Sequence, residues 1–216
     1  MKKALSLSLV FLLAACSDMT APESTLKPGK QGRPASQAPD PILVYSTDFD
    51  GAVGGEWSAN NVSVSPSGQR FLGEFLNQQV GLLVLLPAHT QLVVQADIYF
   101  IRSWDGTGSI YGEDTFNMGV DATTLLNTTI SNVDTNQNYP NAAGGSQVAA
   151  GTGALAINSL GYVYWDEQVP IDATYRFTYT INHTSPVAFI HWQASGLQYL
   201  LDESWGIDNV RISYVP

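Results

Sequence analysis

The sequence contains a single cysteine, Cys16, among 216 residues. An intrachain disulfide is therefore excluded, and with it the class of small secreted folds that are held together by disulfide bonds. A chain of this length does not depend on such bonds, because it can bury a sizeable apolar core. A lone cysteine in an exported chain is either a reactive thiol or a site of modification.

The sequence also lacks an apolar run long enough to cross a membrane. The longest run, residues 4–15, follows the basic start Met1-Lys2-Lys3 and is well short of the roughly 20 residues that a membrane-spanning helix needs. A short apolar run after a basic start is typical of a secretory signal peptide. The first 15 residues are therefore predicted to direct export and to be removed.

The apolar run ends in Leu13-Ala14-Ala15-Cys16, with small residues directly before the cysteine. This tetrapeptide resembles the lipobox of bacterial lipoproteins, which implies that Cys16 becomes the lipidated first residue of the mature chain. Several acyl chains on one residue anchor a protein to a membrane effectively permanently. Ser17, in place of an aspartate, favours the outer membrane if the host is Gram-negative. The alternative is an ordinary secreted protein with a cysteine near its cleavage site.

Basic residues are scarce after the tether-like segment 16–41, which holds five of the 11 prolines and the last lysine of the chain, Lys30. Such a segment buries too little apolar surface to fold, and we interpret it as a flexible tether.

Residues 42–216 then form one domain with 16 of the 19 acidic residues and only four arginines. This charge makes nucleic acid and anionic surfaces poor partners and favours cations as ligands. In the alternative interpretation, most of the acidic residues serve only solubility in the extracellular medium.

Patterns typical of long helices are absent from the domain, whereas apolar residues recur with period two along several segments. The alternation is clearest in residues 92–100, 175–181 and 210–214, and it predicts half-buried strands. Glycine-rich turn signals separate the segments. The predicted fold class is all-β, a single antiparallel β-sandwich of the jelly-roll type, with a long surface loop over residues 131–153.

Several motifs of the domain resemble a bacterial extracellular module known from uncharacterised secreted and surface-anchored proteins. The resemblance spans roughly residues 48–215 and implies a concanavalin-like or carbohydrate-binding-module-like jelly roll, without a settled activity. The motifs that carry it are Phe71-Leu72-Gly73-Glu74-Phe75, Leu86-Pro87-Ala88-His89-Thr90, Asp97-Ile98-Tyr99, Arg102-Ser103-Trp104-Asp105-Gly106, Glu113-Asp114-Thr115-Phe116, Tyr139-Pro140 and Asp202-Glu203-Ser204-Trp205-Gly206-Ile207-Asp208-Asn209-Val210.

Two short motifs resemble the first and last strands of carbohydrate-binding jelly rolls and MAM-type domains, namely Asp48-Phe49-Asp50 and Ile207-Asp208-Asn209-Val210. Those folds often hold one structural calcium ion between the two strands. The resemblance implies that Asp50 and Asp208 are ligands of such an ion, since calcium prefers oxygen ligands. Asp50 stands where those folds often have glutamate. In the alternative interpretation, Asp208 caps a strand or bonds to a turn.

A second group of acidic residues lies next to a tryptophan. Trp104, Asp105, Glu113 and Asp114 are candidates for a second cation site or for the rim of a saccharide site. An aromatic ring can stack on a sugar, and carboxylates accept hydrogen bonds from hydroxyl groups. The alternative places Trp104, like Trp192 and Trp205, in the core.

Motifs of the common hydrolases are missing. The sequence has neither the Glu-x-Asp-x-x-Glu pattern of glucanase-like sandwiches nor Gly-x-Ser-x-Gly, and its three histidines lack zinc-ligand spacing. Glu203 and Asp208 are the nearest imitation of a catalytic carboxylate pair. We therefore expect a non-catalytic lipoprotein that binds a polysaccharide or another cell-surface component. The alternatives are a structural or adhesive envelope lipoprotein with a protein partner and a glycan-acting hydrolase with an unrecognised motif.

Overall fold

The computed structural model describes residues 39–164 and 168–216. The predicted signal peptide, Cys16 and the tether up to residue 38 lie outside the described residues, so lipidation stays a prediction. Among the described residues, no helix is long and apolar enough to cross a membrane. Their regular elements are 13 strands.

The strands alternate with loops along the described chain. The predicted strands at residues 92–100, 175–181 and 210–214 are confirmed, since they fall within the longest three elements. In chain order the strands are β1 (Ile42–Thr47), β2 (Val62–Val64), β3 (Arg70–Phe75), β4 (Gln79–Leu85), β5 (Gln91–Arg102), β6 (Thr115–Val120), β7 (Thr123–Thr129), β8 (Ala156–Ile157), β9 (Val163–Tyr164), β10 (Val169–Pro170), β11 (Asp172–Asn182), β12 (Val187–Ser195) and β13 (Glu203–Val215).

Two antiparallel sheets form the sandwich. The first has the order β2-β3-β13-β5-β11-β8, with β1 also paired to β13, and the second has the order β4-β12-β6-β7. The eight main strands are β3, β4, β5, β6, β7, β11, β12 and β13. Numbered one to eight, they give the sheet orders 1-8-3-6 and 2-7-4-5, which is the jelly-roll arrangement. The predicted fold class is therefore confirmed.

The core lies between the two sheets and follows the alternation in the sequence. Along β5, Leu92, Val94, Ala96, Ile98 and Phe100 are fully buried and belong to one apolar cluster with residues of the second sheet. Burying a large apolar side chain stabilises a fold by about 1.5–3 kcal/mol. This cluster stabilises the domain in the absence of disulfides.

The segment 131–153 has no strand, as predicted for a long loop, but buried amide side chains hold it in place. Gln137 is completely buried. Its Nε2 donates to the carbonyls of Tyr139 and Thr152, and its Oε1 accepts hydrogen bonds from Ser131 N–H, Gly151 N–H and the Tyr175 hydroxyl. The loop is therefore attached to the core at its middle, which fixes the position of residues 133–135 beside it.

Three strand connections meet at one end of the sandwich. Strand pairing places Glu203 opposite Arg102, Thr115 opposite Ser195 and Asp172 opposite Ile101. The loops 103–114 and 196–202, and the segment just before β11, are consequently neighbours. The candidate site is built from these loops.

Candidate functional site

Three carboxylates from distant parts of the sequence meet at this end of the sandwich. Asp105 follows β5, Asp114 directly precedes β6, and Glu203 is the first residue of β13. One carboxylate oxygen of each lies within 4.8 Å of the others. Asp114 and Glu203 are 0% exposed and Asp105 is 8% exposed. We call these three residues the acidic cluster.

Each of the two fully buried carboxylates has one oxygen with a hydrogen-bond donor and one without. The backbone N–H of Asp105 donates to Asp114 Oδ2, and Gln198 N–H donates to Glu203 Oε2 at 2.8 Å. Asp114 Oδ1 and Glu203 Oε1 are buried and accept no hydrogen bond. An unpaired buried carboxylate oxygen is strongly unfavourable, so a proton or a cation is needed to satisfy these atoms.

The protonation of the acidic cluster is shifted by burial. Burial, reinforced by the neighbouring carboxylates Glu203 and Asp105, raises the pKa of Asp114 to about 8. For the same main reason the pKa of Glu203 is raised to about 7, with Asp202 and Asp105 adding to the shift. Burial also raises the pKa of Asp105, and Asp202 adds to that shift. Each of these raised pKa values indicates that a negative charge in the acidic cluster is unfavourable unless a proton or a cation compensates it.

Two arginines form ion pairs within the described part of the chain, and neither pair includes a residue of the acidic cluster. Arg102 pairs with Glu74 at 2.6 Å, and Arg176 pairs with Asp97 at 2.7 Å. The domain has no lysine. The acidic cluster therefore has no ion pair with an arginine or lysine side chain among the described residues.

An open cleft of about 790 Å³ lies directly beside the acidic cluster. Asp105 belongs to both, because it is a member of the cluster and lines the cleft. We call it the tyrosine cleft, because three tyrosines contribute to its walls. Its lining includes Tyr111, Tyr164, Tyr199, Asp134, Asp202 and Gln198.

The walls of the tyrosine cleft combine aromatic surface with hydrogen-bonding groups. Tyr111 is 75% exposed and Tyr199 is 43% exposed. Gln198 Nε2 donates to the carbonyl of Tyr111 at 3.3 Å, which joins two of the walls. A volume of this size falls in the range of small-molecule sites, and tyrosine rings beside carboxylates suit a ligand with both apolar faces and hydroxyl groups.

Two of the four residues predicted for the second site lie outside the acidic cluster, and one of them, Trp104, has the core position that was the alternative interpretation. Trp104 is completely buried, packs edge to face against Phe100 at 4.6 Å and donates from Nε1 to the Ser204 carbonyl. It therefore offers no face to a ligand. Glu113 is exposed, and its Oε1 accepts from Gly108 N–H outside the acidic cluster. The structure brings the other two, Asp105 and Asp114, together in the acidic cluster, and their role as a cation or saccharide site stays a prediction.

In the sequence, Glu203 and Asp208 are the nearest imitation of a catalytic carboxylate pair. In the structure, their side chains lie on opposite faces of β13. Inward-facing positions on β13 include Trp205 and Ile207, which belong to the core, and period two places Glu203 in the same row. Asp208 lies on the opposite face, where the Tyr99 hydroxyl donates to it. The period-two alternation of core residues along β13 is therefore the sequence pattern that places Glu203 at the end of the inward-facing row.

The residues predicted to share a calcium ion have different environments. Asp208 is completely buried; its Oδ2 accepts from the Tyr99 hydroxyl at 2.6 Å and from Gln69 Nε2 at 2.9 Å, and its Oδ1 accepts from Asn209 N–H. Burial raises the pKa of Asp208 to about 6. Asp50 is exposed, and its N–H donates to Asp48. Calcium bound between Asp50 and Asp208 stays a prediction.

No protein-family model matches the chain, and no curated protein matches it. Among solved structures, the chain is similar to latent PorU from Porphyromonas gingivalis, with 9% identity and a TM-score of 0.44 over 85% of this chain. It spans only 13% of the PorU chain.

Two further solved structures are similar over nearly their whole length. One is the K3 cleaved adhesin domain of Lys-gingipain from Porphyromonas gingivalis, with 10% identity, a TM-score of 0.39 and coverage of 80% of this chain and 99% of that one. The other is the C-terminal carbohydrate-binding module of LamC, a laminarinase from Zobellia galactanivorans, with 9% identity, a TM-score of 0.35 and coverage of 78% and 98%. At these identities and TM-scores the likeness does not extend to function.

Proposed function

We propose that this chain is a non-catalytic glycan-binding lipoprotein, anchored through Cys16, whose domain takes an oligosaccharide in the tyrosine cleft. The observation that carries the proposal is the cleft itself, where Tyr111, Tyr164 and Tyr199 line an open volume of about 790 Å³ together with carboxylates and an amide. Aromatic rings supply stacking surface for sugar rings, and the polar groups bond to the hydroxyls.

The burial of the acidic cluster favours binding without hydrolysis. A glycosidase needs two carboxyl groups that touch the sugar, one of which is an acid with a raised pKa. The pKa values of Asp114 and Glu203 are raised to about 8 and about 7, but both side chains are 0% exposed, so a sugar in the cleft does not touch them. The pKa of Asp105 is also raised, and Asp105 lines the cleft, but it is only 8% exposed.

The predicted lipid anchor and tether would determine how the domain is presented. A flexible chain of 25 residues, the number from Ser17 to Pro41, has a root-mean-square length of roughly 25–30 Å. In this proposal, that distance would hold the domain clear of the lipid headgroups. A binding module placed there can contact polysaccharides outside the membrane.

The first experiment identifies a ligand by applying the mature chain to a glycan array, followed by titration calorimetry with the oligosaccharide that binds best. Tyr111→Ala and Tyr199→Ala each remove ring surface from the cleft, and we expect each to weaken binding about tenfold, or about 1.4 kcal/mol. The incubated oligosaccharide should be recovered uncleaved.

Phe189→Ala is the matched control. Phe189 is 37% exposed, but it lies on β12 in the second sheet and outside the cleft, so this variant should bind as the unmodified chain does. Unchanged affinity in both tyrosine variants, or loss of binding in Phe189→Ala, would overturn the placement of the site. Cleavage of the oligosaccharide would overturn the non-catalytic assignment.

Exposed apolar side chains near the cleft favour a second candidate function, adhesion to a protein partner. Ile110 is 89% exposed and lines the cleft, and Leu201, 70% exposed, follows next but one after Tyr199. Clustered exposed apolar residues often mark protein interfaces. Capture of a surface protein that is lost in Ile110→Ser and Leu201→Ser, without any glycan binding, would favour this alternative.

A further inference from the structure

We propose that Asp105, Asp114 and Glu203 bind a divalent cation of the calcium class directly beside the tyrosine cleft. This site is separate from the predicted Asp50–Asp208 pair. Three chain segments that are far apart in sequence bring their carboxylate oxygens within 4.8 Å of one another. The proposal concerns the chain's own carboxylates and does not require the identity of the glycan.

Two buried oxygens provide a second observation, besides the clustering, that a bound cation would explain. Asp114 Oδ1 and Glu203 Oε1 have no hydrogen-bond partner, although both side chains are completely buried. Buried polar atoms of native proteins are almost always paired with protein, water or an ion. Pairing each of these oxygens with a positive ion satisfies them both at once and offsets the mutual repulsion of three carboxylates.

The donor set and its spacing suit calcium. All three ligands are carboxylates, which hard cations prefer, and the cluster has no histidine or cysteine to favour zinc. An ion with bonds of about 2.3–2.6 Å to its ligands can contact oxygens up to about 5 Å apart, and the three oxygens all lie within 4.8 Å of one another. Magnesium usually keeps several water ligands, which suits a cluster with two completely buried carboxylates less well.

A glycine keeps space open beside the cluster. Gly196 has a φ of +104°, and a Cβ there would lie 3.0 Å from Asp114 Oδ1 and 2.3 Å from the carbonyl oxygen of Glu113. Any larger residue would occupy the space next to the unpartnered oxygen. The Glu113 carbonyl on that side is a further oxygen near the cluster, and Asp105, which is 8% exposed, gives access from the cleft.

A bound ion would order the walls of the cleft. It would join the loop that carries Asp105 and Asp114 to the start of β13, and Glu203 in turn accepts a hydrogen bond from Gln198 N–H. Gln198 lines the cleft and contacts the Tyr111 carbonyl. Through these contacts the ion would hold the Tyr111 wall and the Gln198 wall in their positions, so calcium would promote ligand binding in the cleft.

The competing explanation is a proton shared between Asp114 and Glu203. A protonated carboxyl of one residue can donate to the other, which also satisfies Asp114 Oδ1 and Glu203 Oε1. A shared proton requires no metal, and Asp105 would have no part in it. Metal binding by the chain without glycan therefore separates the two explanations.

The experiment is calorimetric titration of the mature, chelator-treated chain with calcium chloride at pH 8, with magnesium chloride titrated in parallel. We expect a calcium-binding event that magnesium reproduces at least tenfold more weakly. Glu203→Gln and Asp114→Asn should each lose this event, since each removes one ligand charge without changing the size of the side chain. Glu113→Gln is the matched control, and calcium binding should persist in it.

Melting curves in calcium and in chelator keep the test decisive if a variant folds poorly. The unmodified chain should melt several degrees higher in calcium, because a ligand that binds only the native state stabilises it. Asp105→Asn, at the edge of the cluster, should reduce that difference. Absence of any calcium-binding event up to 1 mM would overturn the proposal and leave the shared proton. So would calcium binding in Glu203→Gln and Asp114→Asn with the same number of ions and the same affinity as in the unmodified chain.

Discussion

The backbone N–H of Gln198 donates a hydrogen bond of 2.8 Å to Oε2 of Glu203. Gln198 lines the tyrosine cleft, whereas Glu203 is completely buried in the acidic cluster. The wall of the tyrosine cleft is therefore attached directly to a carboxylate whose negative charge is unfavourable. A change in the charge state of the cluster should affect both the stability of the domain and the position of that wall.

The stability of the chelated chain should fall as the pH rises from 5 to 8. The folded-state pKa of Asp114 is raised to about 8, so between the unfolded-state pKa, near 4, and pH 8 the native state binds more protons than the unfolded state. Stability decreases with pH in that window by about 1.4 kcal/mol per unit for each proton. For a domain of this size the midpoint should fall by roughly 3 °C or more per pH unit.

Calcium should reduce this decrease, because the ion replaces the proton in satisfying the carboxylates. Melting curves at pH 5, 6, 7 and 8, each in chelator and in calcium, measure the effect. In Glu203→Gln the decrease should be smaller in chelator as well, since one titrating group is removed. A chelated chain that is equally stable at pH 5 and pH 8 would contradict the raised pKa values of the cluster.

Gln137→Leu should destabilise the domain by about 2–4 kcal/mol. The change leaves the size of the side chain similar, but five groups lose their partner, among them Ser131 N–H, Gly151 N–H and the Tyr175 hydroxyl. Leaving a buried group unsatisfied costs about 1–3 kcal/mol, and some of these groups will find water. Urea denaturation measures the loss. Asn136→Leu, at the exposed neighbouring position, is the control and should change stability much less.

Cys16→Ser should release the chain from membranes or block its processing. The prediction depends on Leu13-Ala14-Ala15-Cys16 being the lipidation signal, because serine cannot carry the thioether-linked lipid. Membrane fractions washed with carbonate, followed by immunoblotting, measure the distribution. A variant that still partitions wholly with the membrane fraction would show that the anchor lies elsewhere.

The predicted calcium ion between Asp50 and Asp208 can be distinguished from the ion in the acidic cluster by counting. If both sites form, the unmodified chain binds two calcium ions. Asp50→Asn then binds only the ion of the acidic cluster, and Glu203→Gln binds only the ion between Asp50 and Asp208. Asp50 is exposed, so its replacement should change the stability of the chelated chain by less than about 0.5 kcal/mol. A titration of Asp50→Asn identical to that of the unmodified chain would remove the Asp50–Asp208 site and leave the acidic cluster untouched.

The two-sheet architecture could be predicted from the sequence because period-two alternation persists through the long strands. In β5 and β11 each apolar residue of the pattern faces the core or packs against it, and the strands pair over 11 residues. Short elements such as β8, β9 and β10 have two residues each, which is too few for a period to be recognised. Their positions depend on contacts with distant segments.

The candidate site could be predicted only in part. Asp105 and Asp114 are close in sequence and stand out together, whereas Glu203 joins them only because β13 pairs with β5 and brings residue 203 opposite Arg102. For Trp104 the sequence leaves two interpretations open, a ligand site beside acidic residues and the core. The structure places it in the core, where it packs against Phe100 and Phe116.

The proposed place of the glycan is the tyrosine cleft. A crystal structure of the chain, grown in calcium with the best-binding oligosaccharide from the array, would show where the sugar binds. We expect sugar density against Tyr111 and Tyr199, next to Asp105, with a cation density between Asp105, Asp114 and Glu203. Sugar density on the outer face of the second sheet, around Phe189, with an empty cleft would show that the glycan binds elsewhere.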